Sequence, residues 1–259
     1  MKYIVWSYDY MDASAGQKTM HRLCHELNEA GQEAYVYFRG VNPAWNTPYY
    51  GGPFDEDWLA IYPEICTNNP IPGIPDENVI RWMLNRAHAH YEPVGSWFSF
   101  HKLFTPPRFP KERMLFLPTI ELDRYYDQGL ERKYDTYWIG KESMHRPLPE
   151  GLVEISRHLT GDWTQLARTL NESRVMYSFD PISAMNEIAR LCGSKVVWIP
   201  GDKMTKAQFR KTMAPIGEGW GWDEIPPDFD PAVTRQRQLD LKDEFYKQLA
   251  NFIRITQDR

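Results

Sequence analysis

Residues 175–201, VMYSFDPISAMNEIARLCGSKVVWIPG, read as strand, turn, helix and strand. Residues 175–178 are short and β-prone, and Asp180-Pro181 breaks the run. Ser183 is placed to cap a helix, and Ala184, Ile188, Leu191 and Cys192 recur at helical spacing. Gly193 ends that helix, and residues 195–199 start a strand of the buried type. A β-α-β unit of this kind sets the 178–183 turn, the helix N-terminus and Glu187 at the carboxyl edge of a parallel sheet, where open α/β sheets bind ligands. Free N–H groups and the positive helix end suit a phosphate. Glu187, one turn further in, can accept bonds from ribose hydroxyls.

Upstream, strands are expected over 113–119, 134–139 and 152–155, and an amphipathic helix over 162–171 with Asp162 in its first turn. A helix over 205–214 and a Gly/Trp-rich turn, Gly217-Glu218-Gly219-Trp220-Gly221-Trp222, follow the quoted stretch. A long charged helix then fills 231–259. The chain starts with an apolar run at 2–8, a loop of small and acidic residues to Gly16, a helix over 17–30 closed by Gly31, and a strand over 33–38. This is another β-α-β start, without the G-x-G-x-x-G fingerprint that an NAD enzyme would carry.

Residues 39–75 are rich in Pro and aromatic residues, including Trp45, Tyr49, Tyr50, Phe54 and Trp58. They read either as rings pinning a loop to the core or as sugar-stacking groups of a binding loop. Residues 78–85 are expected as a helix. His88, His90 and His101 are spaced too loosely for a metal set and read as solvated or packing histidines; no metal ligands are assigned. The segment 97–113 interleaves aromatic and basic residues, as a groove for nucleic acid or charged glycan does, and equally as an inter-domain linker does.

The 259 residues suffice for one large or two small α/β domains. A formal charge of −5 and a pI near 5.8 argue against nucleic-acid binding by general positive charge. Cys24, Cys66 and Cys192 are far apart and form no metal or disulfide pattern, so buried thiols in a reducing compartment are expected. With no apolar run of membrane-spanning length and no leader-like start, the expectation is a cytoplasmic protein without a membrane span.

The order small turn, D-P-x-x-A-x-x-E-x-x-x-x-G, hydrophobic strand resembles the donor-binding segment of GT-B glycosyltransferases. A second likeness is Tyr62-Pro63-Glu64, Asn69-Pro70 and the 78–85 segment, similar to a "YPE…NP…VRWLLN" run in a subset of bacterial glycosyltransferases. The resemblance implies two Rossmann-like domains facing across a cleft, here 1–115 for the acceptor and 116–259 for the donor, with the terminal helix crossing back. It implies transfer of a sugar from a nucleoside diphosphate donor, of the UDP-sugar kind, with no other cofactor. Its donor-binding set falls on Gly16, Lys141, Arg157, Ser178, Asp180, Ser183, Ala184 and Glu187. Lys141, after a Gly, and Arg157 would meet the diphosphate from strand ends, and Glu187 the ribose. Retaining members show Glu, seven residues, Glu; here Phe179 stands at the first position with Asp180 beside it, which leaves the stereochemical outcome open.

If the transfer inverts, a base must take the acceptor's proton, and the first domain supplies Asp12, Glu64 or His101. If it retains, Asp12 and Glu64 only orient the acceptor. Glu64 reads equally as a carboxylate capping the loop that follows. The acceptor is a glycan or, as in phage-type enzymes, a hydroxylated DNA base. A non-catalytic nucleotide-sugar binding module would keep Glu187, Lys141 and Arg157 without any such base.

Overall fold

The computed structural model describes residues 1–85, 96–102, 104–105, 109–140, 148–156, 158–180, 183–201, 205–212 and 218–258. The chain is α/β, with two five-stranded sheets whose strand pairs are all parallel. It divides into two compact units, Met1–Thr119 with Asp240–Arg259, and Ile120–Leu239. Sequence reading set the boundary at 115/116 and counted the terminal helix with the second half while expecting it to cross back; the division falls at 119/120, and residues from Asp240 onward belong to the first unit.

In the first unit the strands are β1 (Lys2–Val5), β2 (Ala34–Val36), β3 (Trp58–Pro63), β4 (Val79–Met83) and β5 (Ser96–Ser99), ordered β2-β1-β3-β4-β5. Helix α1 (Ala15–Glu29) links β1 to β2, with the Ser14 hydroxyl as its N-cap and Gly31 at φ +77° past its end. Its apolar face (Met20, Leu23, Cys24, Leu27) joins Tyr3, Val5, Leu59 and Ile61 in the core. Phe245, Leu249 and Phe252 from the C-terminal part of the last helix join the same core. The opposite face of the sheet is covered by the proline-rich loop. Tyr50 stacks on Trp58 at 4.6 Å, and Phe54 meets Trp58 edge-on at 5.1 Å. Those three rings pin the loop to the core.

Residues 78–85 do not form the expected helix. They hold β4, five residues buried on both faces between β3 and β5. Val79, Ile80 and Trp82 favour a strand, and a short apolar run does not reveal its period without its neighbours. The strand expected over 113–119 is also absent. Only Met114 bridges Ser99, and the Leu115 carbonyl goes instead to the Trp82 indole N–H at 3.0 Å.

In the second unit β6 (Tyr134–Trp138), β7 (Val153–Glu154), β8 (Ser173–Ser178), β9 (Lys195–Trp198) and β10 (Gly219–Trp220) are ordered β10-β9-β8-β6-β7. Counted along the chain, both sheets therefore run second, first, third, fourth, fifth. In each the strand order reverses beside the first strand, at β1/β3 and at β6/β8, and that reversal is where doubly wound sheets open a ligand crevice. Helices α2 (Trp163–Asn171), α3 (Ala184–Leu191) and α4 (Lys206–Thr212) lie between the strands, and α5 (Pro231–Gln257) closes the chain. Asp162 is the N-cap of α2 rather than a first-turn residue, its carboxylate accepting from Thr164 N and Gln165 N, both at 3.1 Å.

One side chain ties off two helices. The Arg132 guanidinium donates to Leu170 O and Asn171 O at the end of α2 and to Cys192 O, 2.9 Å away, at the end of α3. A cation satisfying carbonyls that have no intrahelical partner is favoured by both hydrogen bonding and the helix dipole. Gly193, at φ +81°, lies so close that a Cβ would sit 2.2 Å from Arg132 Nη2. Arg132→Met should therefore destabilise the second unit by about 2–4 kcal/mol. Denaturant titration followed by hydrogen exchange of the α2 and α3 amides measures it; a loss below 0.5 kcal/mol (~, a typical surface effect) refutes the double-cap assignment.

Candidate functional site

At the β6/β8 reversal, two strand ends meet a helix start. Phe179 N donates to Trp138 O at 2.9 Å, holding the loop after β8 against the end of β6. Gly140 has φ +67°, and a Cβ there would fall 2.5 Å from Asp180 Cβ, so only glycine lets these loops approach so closely. The buried Ser178 hydroxyl donates to Asp180 O at 3.0 Å. Ser183 caps α3, its Oγ accepting from Met185 N at 3.2 Å and from the Trp138 indole N–H at 3.0 Å. The Asn186 amide donates to Asp180 O at 3.2 Å, while its buried Oδ1 has no partner. Phe179, Asp180 and Ser183 are thus each held by hydrogen bonds, and Ala184, the first helical residue, is exposed.

Glu187 lies in the first turn of α3 with its side chain 18% exposed. Its two oxygens accept from Arg237 Nη1 and Gln238 Nε2 of α5, each at 3.4 Å. These are long bonds, and a carboxylate has about four lone-pair sites, so acceptor capacity remains. Ser178, Asp180, Ser183, Ala184 and Glu187 are brought together here. Lys141 and Arg157 lie outside the described residues, as do His88 and His90.

The same α3 face carries a buried charge group that sequence reading missed. Glu218 immediately precedes β10 and is buried, and its Oε2 has no partner among the described residues. Burial first, and then the charge of Glu187, push its carboxyl up to about 8, against the opposing pull of Arg190 and Arg237. Arg190 is buried too; its Nε and Nη1 lack partners, and its guanidinium lies 5.1 Å from the Phe229 ring centre. Burial lowers its pKa.

The first unit holds the remaining candidates at the carboxyl ends of its strands. In the loop after β1, Asp12 Oδ1 accepts from Lys18 Nζ at 2.8 Å and Tyr10 OH at 2.9 Å. Gly16 is the second residue of α1 and exposed, with open space where a Cβ would stand. Glu64 follows β3, and its Oε2 accepts from Leu84 N, beyond the end of β4, at 2.9 Å. The bond goes to backbone after β4 rather than to the loop that follows Glu64, and among the described residues it engages one oxygen only. Asp12 and Glu64 both belong to the β1/β3 reversal. His101 does not: it follows the edge strand β5, its ring 5.9 Å from Phe104 and 6.2 Å from Phe116.

Sequence reading missed Asp9, whose Oδ1 accepts from Gly40 N at 2.7 Å, and His21, whose Nε2–H donates to Tyr8 O at 2.9 Å. Burial lowers the His21 pKa. Both fix the loop after β1; the only signal for them is their place in or beside that loop. Among the described residues, no cluster of three His, Cys, Asp or Glu could hold a metal ion, and no helix is long and apolar enough to cross a membrane. No protein-family model matches the chain, and no curated protein matches it.

The Glu218 carboxyl has a stability signature. Its unfolded value is near 4.5 and its folded value about 8, so between them the folded chain keeps a proton that the unfolded chain has lost. Stability contributed by this group must therefore fall as pH rises through that window and level off above it. Glu218→Gln should flatten the dependence of the second unit's denaturant midpoint between pH 5 and 8, removing a drop of about 3–4 kcal/mol. Equal pH slopes in the two proteins would show that the carboxyl titrates normally.

Proposed function

We propose that the chain is a GT-B-class glycosyltransferase that moves a sugar from a nucleoside diphosphate donor, of the UDP-sugar kind, to a hydroxyl acceptor. The observation that carries this reading is the β6/β8 reversal. There a glycine-dependent close approach of two loops, a serine-capped helix N-terminus and Glu187 in its first turn lie together at the carboxyl edge of the sheet. Ser183 already takes up Met185 N and Asn186 N, so the phosphate oxygen is drawn to the positive dipole end of α3 and its Ala184 N–H, while Glu187 accepts from the ribose. Lys141 and Arg157 keep their sequence-based assignment to the diphosphate, and Gly140, turning at positive φ just after β6, agrees with the Gly-basic pattern. Transfer in this scheme needs no metal, because cations and the helix end stabilise the leaving diphosphate.

Glu64 is the better base of the three candidates. One oxygen is fixed by Leu84 N, and the other has no partner among the described residues. A carboxylate held in one orientation with a free oxygen is prepared to take a hydroxyl proton. Asp12 is engaged by an ammonium and a phenol and serves to hold its loop.

Two variants test the scheme. Glu187→Ala should weaken UDP binding by about tenfold or more, since a lost hydrogen bond to a charged group costs about 1.5–3 kcal/mol. Unchanged affinity by calorimetry, with the fold intact, removes Glu187 from the donor site. Glu64→Gln should reduce turnover by roughly 10²–10⁴ while donor affinity stays, with Asp12→Asn far milder. Diphosphate release from a panel of nucleotide sugars, with and without acceptors, supplies the readout; no release from any donor defeats the transferase reading.

A further inference from the structure

A row of rings runs across the carboxyl ends of the first sheet. Phe38 follows β2, Trp6 follows β1 and Tyr62 ends in β3; Trp6 lies 5.7 Å from Phe38 and 6.2 Å from Tyr62, centre to centre. The row continues to β4, where the Arg81 guanidinium lies 4.8 Å from the centre of the Tyr62 ring. Tyr8 rests on this row, 5.2 Å from Trp6 and 5.8 Å from Phe38, yet 53% of its surface is exposed. Two underlying rings therefore support a half-exposed ring in the loop after β1, at the carboxyl edge of a parallel sheet.

Carboxylates stand on the same edge. Asp9, the next residue, is exposed; Oδ1 is held by Gly40 N at 2.7 Å, and Oδ2 has no partner among the described residues. The loop is built for this bond, since a Cβ on Gly40 would stand 2.6 Å from Asp9 Cβ. Glu64, in the loop after β3 on the same carboxyl edge, repeats the arrangement with Leu84 N. Each carboxylate is thus anchored through one oxygen to the backbone, and its other oxygen has no partner among the described residues. Little side-chain entropy is left to lose when a ligand hydroxyl donates to it.

We propose that this edge binds a pyranose ring of a carbohydrate, its C–H face on Tyr8 and its hydroxyls donating to Asp9 and Glu64. The inference names the acceptor class of the transferase and rests on that reading for the role of acceptor. Charge decides between the two acceptors considered. A DNA strand needs cations along its phosphates, and here Lys18 is neutralised by Asp12, the Arg39 guanidinium lies against the Tyr49 ring at 5.2 Å, and two anchored carboxylates lie on this edge. An uncharged polyol with an apolar ring face complements an aromatic surface rimmed by hydrogen-bond acceptors.

The test uses the full chain without donor. Saturation-transfer NMR with the methyl α- and β-glycosides of glucose, galactose, mannose and N-acetylglucosamine should show at least one probe saturated chiefly on one ring face. Tyr8→Ala and Asp9→Asn should each weaken that probe about tenfold in protein that keeps a cooperative thermal transition; Asp9→Asn retains an oxygen for Gly40 N, and Tyr8→Phe should keep the probe bound. Absence of binding by every glycoside, equal binding in Tyr8→Ala and Asp9→Asn, or binding only of an oligodeoxynucleotide containing 5-hydroxymethylcytosine overturns the proposal. UDP affinity, measured in parallel, reports on the transferase reading separately: glycoside binding without UDP binding sinks that reading and leaves this site standing.

Discussion

Parallel pairing beside the first strand of each sheet is the constraint on which the rest depends. Parallel strands cannot be joined by a tight turn, so every connection must leave one edge and return to the other. All loops that follow strands therefore gather at the carboxyl edge. Where the third strand inserts on the opposite side of the first from the second, two of those loops part. The β6/β8 pair brings Gly140 against Asp180, just before the cap of α3, and the β1/β3 pair puts the loops that carry Asp12 and Glu64 on adjacent strand ends. The side chains with functional potential sit at those two places because the topology gathers loops there.

The two units solve the covering of their sheets differently. In the second, short amphipathic helices follow β7, β8 and β9, and their ends are closed by side chains such as Asp162, Ser183 and Arg132. In the first, a proline-rich loop covers one face of the sheet with stacked rings. Large rings bury much apolar surface per residue, so a loop without regular backbone bonding can still seal a sheet. The same aromatic economy supplies the row beneath Tyr8, which grades from fully buried Tyr62 to half-exposed Tyr8 along the strand ends.

Buried charge in the second unit lies behind Glu187. Glu218 and Arg190 are both removed from water, and neither satisfies all of its polar atoms. Such groups cost stability unless neutralised or paired. Glu218 answers by holding its proton at neutral pH, which also spares Glu187 a second negative neighbour.

The local sequence by itself determined the β-α-β units: β8, α3 and β9 follow from residues 175–201, with Ser183 as cap and Gly193 as terminator, because caps, breakers and helical spacing act over a few residues. It also placed Asp12 in the loop after the first strand, whereas the partner of Glu64, Leu84 N beyond β4, came from the tertiary structure. Tertiary structure alone decided that residues 79–83 are a strand, since a five-residue apolar run has no period of its own and takes its conformation from the strands on either side. It alone separated His101 from the β1/β3 reversal, because strand order is not written in any local pattern. Asp9 and Glu218 were illegible for a related reason. Whether a loop carboxylate faces water with one oxygen free or is buried without a partner depends on backbone brought near it from distant sequence, Gly40 in one case and the α3 and α5 side chains in the other.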